Sequence, residues 1–229
     1  MGNFHLKSID IDKDAHRKAT GESRFYCRHF RFKPGMNLLF GGNGQGKSSL
    51  LEFISAFGGK SFEGEKLKKY CKAEHGEERF IVYSFSNSKN NKKYDKDPSD
   101  LFSFARVWEA KEQSEGQTVM QTVCDFLYAL DHAERSSNAL VLIDEIDSGL
   151  DACACQYLIR RLRKVMKEHP NMQFLLAFNQ YEMSKLDKQW LNVCTGELEE
   201  CPKTYEEYVS RLKANKKAHK RRVDRYVRE

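Results

Sequence analysis

The feature that most constrains this chain is the run Gly-Gly-Asn-Gly-Gln-Gly-Lys-Ser at positions 41–48. It follows a short apolar segment rich in β-formers and precedes a segment with apolar residues at helical spacing. Glycines let successive backbone N–H groups turn inward around phosphate groups, and the start of the following helix adds the positive end of its dipole. The run therefore predicts a strand, a phosphate-binding loop and a helix, in that order.

Within this run, the residue types suggest separate roles at the phosphates of ATP. We expect Lys47 to reach the β- and γ-phosphates and the Ser48 hydroxyl to coordinate Mg²⁺. The alternative is a glycine-rich turn without a ligand, and the flanking strand and helix argue against it. The predicted phosphate-binding residues are Asn43, Gly44, Gln45, Gly46, Lys47, Ser48 and Ser49.

A second motif is the apolar segment at residues 139–143, which ends in two carboxylates, Asp144 and Glu145. We expect Asp144 to hold Mg²⁺ through its water shell, and Glu145 to orient or deprotonate the water that attacks ATP. Carboxylates after a buried strand can also be its solvated end. Together with the phosphate loop they favour a catalytic interpretation, in which Lys47 and Glu145 are catalytic residues.

Apolar periodicity predicts strands that alternate with helices over most of the chain. Strands are predicted at residues 5–11, 25–32, 37–40, 79–85, 139–143, 174–178 and 190–193, and helices at 48–57, 118–130 and 156–167. Charged residues up to position 72 are predicted as helix-like, and residues 86–100 as a polar surface loop. A last helix carries Tyr205, Tyr208, Val209 and Leu212 on one face, which needs a packing partner. This order predicts a mainly parallel sheet and an antiparallel β portion at the N-terminus.

Composition indicates an ordinary globular chain, since 40% of its 229 residues are apolar and 31% are charged. No run approaches the roughly 20 apolar residues of a membrane span, and no apolar signal-peptide core is seen near position 1. We therefore expect a cytoplasmic protein with no membrane partner. The seven cysteines include no C-x-x-C pair and are expected to be reduced thiols, with no zinc site.

The net charge of +6 is concentrated near the C-terminus, while the rest of the chain is nearly neutral. A basic tail of this kind fits nucleic acid or an acidic partner surface, and it fits a solvated helix end equally well. The basic residues concerned are Lys213, Lys216, Lys217, Lys220, Arg221, Arg222, Arg225 and Arg228.

Taken together, the motifs resemble those of the ABC-type P-loop ATPases, over about residues 5–180. The matching runs are the phosphate loop, Ser114-Glu115-Gly116-Gln117, Asp144-Glu145, and Ser148-Gly149-Leu150-Asp151. The likeness is strongest to the SMC/Rad50/RecF-like branch and to the AAA-type ATPases of bacterial and phage defence and DNA maintenance. The resemblance implies a three-layer αβα ABC-ATPase-type domain over residues 1–201, followed by a basic helical tail at 202–229.

The resemblance also implies a composite site, in which each of two subunits completes the site of the other. Ser114, Gly116 and Gln117 would bind the γ-phosphate of ATP held by the partner subunit, and Asp151 would lie at the dimer seam. A helix start offers an anion site on physical grounds as well. Ser114 with Gln117 can instead be an ordinary helix cap and capping box, and this alternative stays open.

Three positions depart from the family pattern. Asn179 replaces the usual switch histidine, so it is predicted to hydrogen-bond phosphate without carrying charge, and hydrolysis is expected to be slow. No glutamine lies between Ser48 and Gln113, which leaves Ser84, Ser86 or Asn87 as substitutes for the usual ligand of Mg²⁺ and water. Glu115 replaces a small residue. For adenine stacking, Phe25, Tyr26 and Phe30 are candidates, although core packing is the commoner role of such residues.

The predicted function is ATP-dependent homodimerisation that switches a separate effector, such as a nuclease, in DNA maintenance or bacterial and phage defence. The effector is inferred for two reasons: residues 58–114 are too few for the long coiled-coil arm of SMC or Rad50 proteins, and no nuclease, toxin or membrane domain is expected to fit in the remaining sequence. An alternative enzyme is the ATP-binding subunit of an ABC transporter. A nucleotide-sensing scaffold with little turnover is the non-enzymatic alternative.

Overall fold

The computed structural model describes residues 6–20, 27–58, 68–76, 80–87, 115–135 and 138–226, without the side chains of 18–20, 57–58, 115–116 and 219–226. Its strands are β1 Leu6–Ile11, β2 His29–Arg31, β3 Met36–Phe40, β4 Cys71–His75, β5 Ile81–Ser86, β6 Ala139–Asp144, β7 Met172–Ala177, β8 Gln189–Asn192 and β9 Glu197–Glu200. Its α-helices are α1 Lys13–Thr20, α2 Lys47–Gly58, α3 Glu115–Asp131, α4 Ala152–Glu168 and α5 Tyr205–Tyr226, and a 3₁₀ helix spans Tyr181–Leu186.

The larger sheet has six strands in the order β5-β6-β7-β3-β8-β9. The first five run parallel, and β9 pairs antiparallel with β8. Every residue of β3 and β7 is buried, because helices or a second sheet cover both faces of these central strands. The predicted alternation of strands and helices and the mainly parallel sheet are confirmed.

The smaller sheet is antiparallel and has the order β2-β1-β4. It confirms the predicted antiparallel portion near the N-terminus. Buried Gln173 joins it to the larger sheet, because the side-chain amide accepts from the N–H of Leu6 at 2.7 Å and donates to Leu6 O at 3.0 Å and Lys33 O at 2.9 Å. These bonds satisfy backbone groups at the junction of the two sheets.

Three elements differ from the sequence prediction. Of the charged residues up to position 72 that were expected to be helix-like, residues 59–67 lie outside the described ranges, and Cys71 and Lys72 belong to strand β4, which pairs with β1. Pairing with β1 and the burial of Cys71 outweigh the helix propensity of exposed Lys72. Helix α1 and the edge strand β9 were not predicted, because both are short and rich in charged residues.

Two apolar cores fill the spaces on either side of the parallel sheet. Helices α3, α4 and α5 cover one face, and α2 together with the antiparallel sheet covers the other. Alternate strand residues serve the two cores: in β3, Leu38 faces the first and Leu39 the second. The result is the predicted three-layer α/β arrangement.

Several smaller expectations can be compared with the structure. Phe30 is buried in the core beside the antiparallel sheet, which confirms the core interpretation for this residue, whereas Phe25 and Tyr26 lie outside the described residues. The cysteines of the described ranges form no disulfide bond, and among the described residues no group of three or more His, Cys, Asp or Glu side chains could hold a metal ion. Across those ranges, no helix combines the length and the apolar character needed to cross a membrane.

Candidate nucleotide-binding site

The phosphate loop joins β3 to α2, as the motif predicts. Gly44 and Gly46 have φ angles of +75° and +92°, a region that residues with a Cβ rarely adopt. A Cβ at Gly41 would lie 2.7 Å from Cγ2 of Val193. Glycine is therefore required here both for backbone conformation and for close packing, and the backbone forms a shallow cradle.

Gln45 stabilises the phosphate loop through hydrogen bonds to Gly42. Its side chain is buried, and its Oε1 accepts a hydrogen bond from the N–H of Gly42 at 2.5 Å. The backbone N–H of Gln45 donates to Gly42 O at 3.1 Å. The side chain of Gln45 thus closes the loop across three residues instead of pointing to solvent, as the exposed Asn43 does.

Lys47 lies at the floor of the loop and is buried. Its Nζ donates to Gly41 O at 2.8 Å. Burial lowers the pKa of Lys47, and the carboxylates of Glu145, Asp144 and Asp147 act in the opposite direction. Phosphate groups placed over the loop would add negative charge beside this ammonium group and favour its charged form.

The Ser48 hydroxyl donates to Oδ1 of Asp144 at 3.0 Å, so the end of the loop meets the end of β6. A hydroxyl and a carboxylate are hard oxygen ligands of the kind that Mg²⁺ prefers. On the neighbouring strand β5, Ser86 is the register partner of Asp144, while Ser84 pairs with Leu142. Of the proposed substitutes for the missing glutamine, Ser86 is therefore closest in register to the Ser48–Asp144 pair, and buried Asn87 follows it directly.

Glu145 adopts a φ of +53°, the one positive value at a non-glycine residue in the described part of the chain. Its N–H donates to Ala177 O at 3.1 Å, which continues the β6–β7 pairing by one residue. Its Oε1 accepts a hydrogen bond of 3.2 Å from Nδ2 of Asn179. Backbone strain of this kind commonly marks functional positions. Asn179 and Glu145 were both expected at the site, and the structure brings them into contact.

Comparison with known proteins agrees with this geometry. The model of a family described as an AAA domain matches residues 24–223, most of the chain. The chain belongs to this AAA domain family. The prediction of an ABC-type P-loop ATPase of the SMC/Rad50-like family is confirmed, and no curated protein sequence matches the chain significantly.

Two solved structures share the fold of this AAA-domain ATPase. One is MJ1267 in its ADP conformation, an ATP-binding cassette of an ABC transporter, with a TM-score of 0.51 and 14% identity over 93% of this chain and 96% of that one. The other is Stu0660 of Streptococcus thermophilus, with a TM-score of 0.51 and 12% identity over 85% of this chain and 76% of that one. At such identities the likeness establishes the ABC ATPase fold alone.

Asp147 is a residue of the AAA domain to which sequence reasoning gave no role. It is fully buried, and its Oδ2 accepts from the N–H groups of Asn179 at 2.8 Å and Gln180 at 2.6 Å. Burial raises the pKa of Asp147, and these two backbone hydrogen bonds act against that shift. Gln180 adds two hydrogen bonds between the same segments, since its Nε2 donates to Asp147 O at 2.7 Å and to Leu150 O at 2.5 Å. The segment that carries Asn179 is thus tied to the segment that leads to Asp151.

Tyr208 of α5 contacts the backbone of Asn179. Its buried hydroxyl donates to Asn179 O at 2.8 Å, and its ring packs edge-on against Phe40. The sequence placed Tyr208 on an apolar helix face that needed a packing partner, and that partner is found. The hydrogen bond to Asn179 could not be deduced from helix periodicity, because it depends on where α5 docks.

Only some of the residues that were expected to face a partner subunit lie within the described ranges. Ser114 lies outside the described residues, and α3 begins at Glu115, so the cap and the anion-site interpretations both stay open. Gly116 and Gln117 lie in the first turn of α3, and Gln117 is exposed. Exposed Asp151 caps α4, since its Oδ1 accepts from Ala154 N at 2.7 Å. Helix α4 therefore begins four residues before the predicted start at position 156.

We expect Tyr208→Phe to lower the kcat for ATP hydrolysis about three- to tenfold while KM changes less than twofold, because it removes the hydroxyl that fixes Asn179 and leaves the ring in place. Tyr205→Phe is the matched control, since Tyr205 is exposed on the same helix. In a Glu145→Gln background, Tyr208→Phe should cause no further loss. Equal effects of Tyr205→Phe and Tyr208→Phe in steady-state assays would contradict this role.

Proposed function

We propose that this chain binds MgATP at the phosphate loop and hydrolyses it. The observation that carries the proposal is the convergence of a buried Lys47, the Ser48–Asp144 pair and the Glu145–Asn179 pair at the ends of the adjacent strands β3, β6 and β7. Membership of the AAA domain family and the ABC ATPase fold support ATP binding and hydrolysis.

In this proposal, each residue has a role that its contacts support. Lys47 lies where it can neutralise phosphate charge, and Ser48 and Asp144 provide hard oxygen ligands for Mg²⁺. Bound Mg²⁺ supplies charge neutralisation at the β- and γ-phosphates. Glu145 orients or deprotonates the attacking water, and Asn179 holds the Glu145 carboxylate in place. Because a neutral amide cannot carry positive charge, we expect slower turnover than a histidine would give.

We further propose that ATP joins two copies of the chain. A nucleotide bound only by the phosphate loop is covered on one side, and a two-fold axis would let each subunit present the start of α3 to the ATP of the other. Exposed Gln117 and Asp151 are available for such an interface. Through Asp147 and Gln180, the Asn179 segment is connected to the residues that precede Asp151. Closure of the dimer at Asp151 would therefore affect the position of Asn179.

The dimer would act as a switch for a separate effector, such as a nuclease, in DNA maintenance or in bacterial and phage defence. This part of the proposal comes from the resemblance to the SMC/Rad50/RecF-like branch. The basic tail adds nucleic acid as a further proposed partner, and Lys217 is one of its exposed basic residues on α5. A transporter subunit is the second candidate, favoured by the fold shared with MJ1267 and opposed by Asn179. Co-purification with a nuclease or with a membrane permease would distinguish them.

Substitution of two residues tests the nucleotide function. We expect Lys47→Ala to abolish ATP binding, because it removes the cation beneath the phosphates, and Glu145→Gln to retain binding and lose turnover. Calorimetric titration with ATP and a phosphate-release assay measure the two properties separately. If both variants lost nucleotide affinity to the same degree, the separate roles of Lys47 and Glu145 would be wrong.

Light scattering with and without ATP tests dimerisation. The Glu145→Gln protein should become dimeric with ATP, and addition of Ser114→Arg should keep it monomeric while ATP still binds, because the arginine obstructs the facing surface and leaves the phosphate loop intact. Gln189→Arg is the charge-matched control, because Gln189 is exposed at the start of β8, whereas the residue paired with Phe40, just before the loop, is Asn192 at the end of β8. A Ser114→Arg protein that dimerises like its parent would identify Ser114 as a helix cap and exclude the composite site.

A further inference from the structure

Helix α5 borders a cavity that also exposes the phosphate loop. The cavity has a volume of about 540 Å³. One wall is formed by the loop and by Asn179, and the other by one face of α5. The lining residues are Gly41, Gly42, Asn43, Gln45 and Asn179 on one side, and Tyr208, Val209, Leu212, Lys213 and Lys216 on the other. We call this space the α5 cavity.

The position of α5 is fixed by buried polar contacts. Asn215 lies between the two lysines in sequence, and its buried amide donates to Oδ1 of Asn192 at 3.1 Å and accepts from Nδ2 of Asn192 at 3.4 Å. Arg211 lies over the Trp190 ring and donates to Glu200 O at 2.6 Å. With the Tyr208 bond to Asn179 these contacts hold α5 beside the loop, so Lys213 and Lys216 reach the α5 cavity from a rigid support.

In the proposed nucleotide complex, the cavity lies on the terminal-phosphate side of the loop. Its lining includes Asn179, whose amide contacts Glu145, the residue proposed to orient the attacking water. A nucleotide whose terminal phosphate faces Glu145 therefore presents that phosphate toward this cavity. The site already holds the carboxylates of Asp144, Glu145 and Asp147 near Lys47. Further cations here would reduce the repulsion that a triphosphate meets on binding.

We propose that Lys213 and Lys216 contact the terminal phosphate of bound ATP, which makes the site favour ATP over ADP. The inference rests on the proposed nucleotide function and extends it to α5. Lysine suits this task because its long stem carries a compact point charge that reaches across an open cavity. Since Asn179 is uncharged, these two lysines supply positive charge that the switch position itself lacks.

The test compares the affinities of two nucleotides for matched variants. Lys213→Gln with Lys216→Gln removes both charges and keeps residues that favour helix. Lys164→Gln with Lys167→Gln is the control, since these two lysines are exposed, have the same three-residue spacing and lie toward the end of α4 away from Asp151. Isothermal titration at one fixed ionic strength gives Kd for MgATP and for MgADP.

We expect the α5 variant to bind MgATP about tenfold more weakly and MgADP less than twofold more weakly, while the α4 variant changes neither. No loss, or an equal loss for ATP and ADP, would overturn the inference. So would unchanged nucleotide affinities with weakened binding of a single-stranded oligonucleotide, because the lysines would then serve nucleic acid. A wild-type chain that binds neither nucleotide would overturn the nucleotide function and this inference with it. The Lys47→Ala variant serves as a reference, because it shows how much nucleotide affinity is lost when the loop alone is damaged.

Discussion

Parallel pairing of β6, β7 and β3 is the constraint on which the whole candidate site depends. Parallel strands end at the same edge of a sheet, so the loop after β3, the carboxylates after β6 and the segment that carries Asn179 after β7 meet at that edge although they are far apart in the sequence. The register places Asp144 and Leu39 beside the same residue, Ala177. A shift of this register by one residue would move the side chains of the shifted strand to the opposite face of the sheet. It would also separate the Ser48 hydroxyl from Asp144.

Around that edge, buried polar side chains fix the loops more firmly than surface contacts could. The Asp147 carboxylate accepts hydrogen bonds from the N–H groups of Asn179 and Gln180, and the Tyr208 hydroxyl donates one to the carbonyl of Asn179. A buried polar group that loses its hydrogen-bond partner raises the free energy of the folded state. These contacts therefore favour a single arrangement of the segment that carries Asn179. The side chain of Asn179 is then directed at Glu145. The position of the Glu145 carboxylate therefore depends on the segments that follow β6 and β7 and on α5 together.

The sequence predicted those parts of the fold and site that follow from local pattern. Glycine spacing gave the phosphate loop, and an apolar run ending in Asp144 gave the end of β6, because both signals lie within a few neighbouring residues. The prediction of helix-like structure at Cys71 and Lys72 was wrong, since the pairing of β4 with β1 is a long-range contact that overrides the helix preference of Lys72. The roles of Asp147 and Tyr208 were missed for the same reason: a carboxylate after a motif and an aromatic residue on a helix face acquire their partners only when the chain folds. Residues 88–114, which include most of the predicted polar surface loop, lie outside the described residues.

The most direct measurement of the central claim is the Mg²⁺ dependence of ATP affinity in wild type, Ser48→Ala, Asp144→Asn and the double variant. If Ser48 and Asp144 hold one shared Mg²⁺, wild type should bind ATP more tightly with Mg²⁺ than without it. Each single variant should lose most of that gain, and the double variant should lose little more, because both residues act through the same ion. Single variants that keep the wild-type Mg²⁺ dependence, or losses that simply add, would contradict a metal site built where the phosphate loop meets β6.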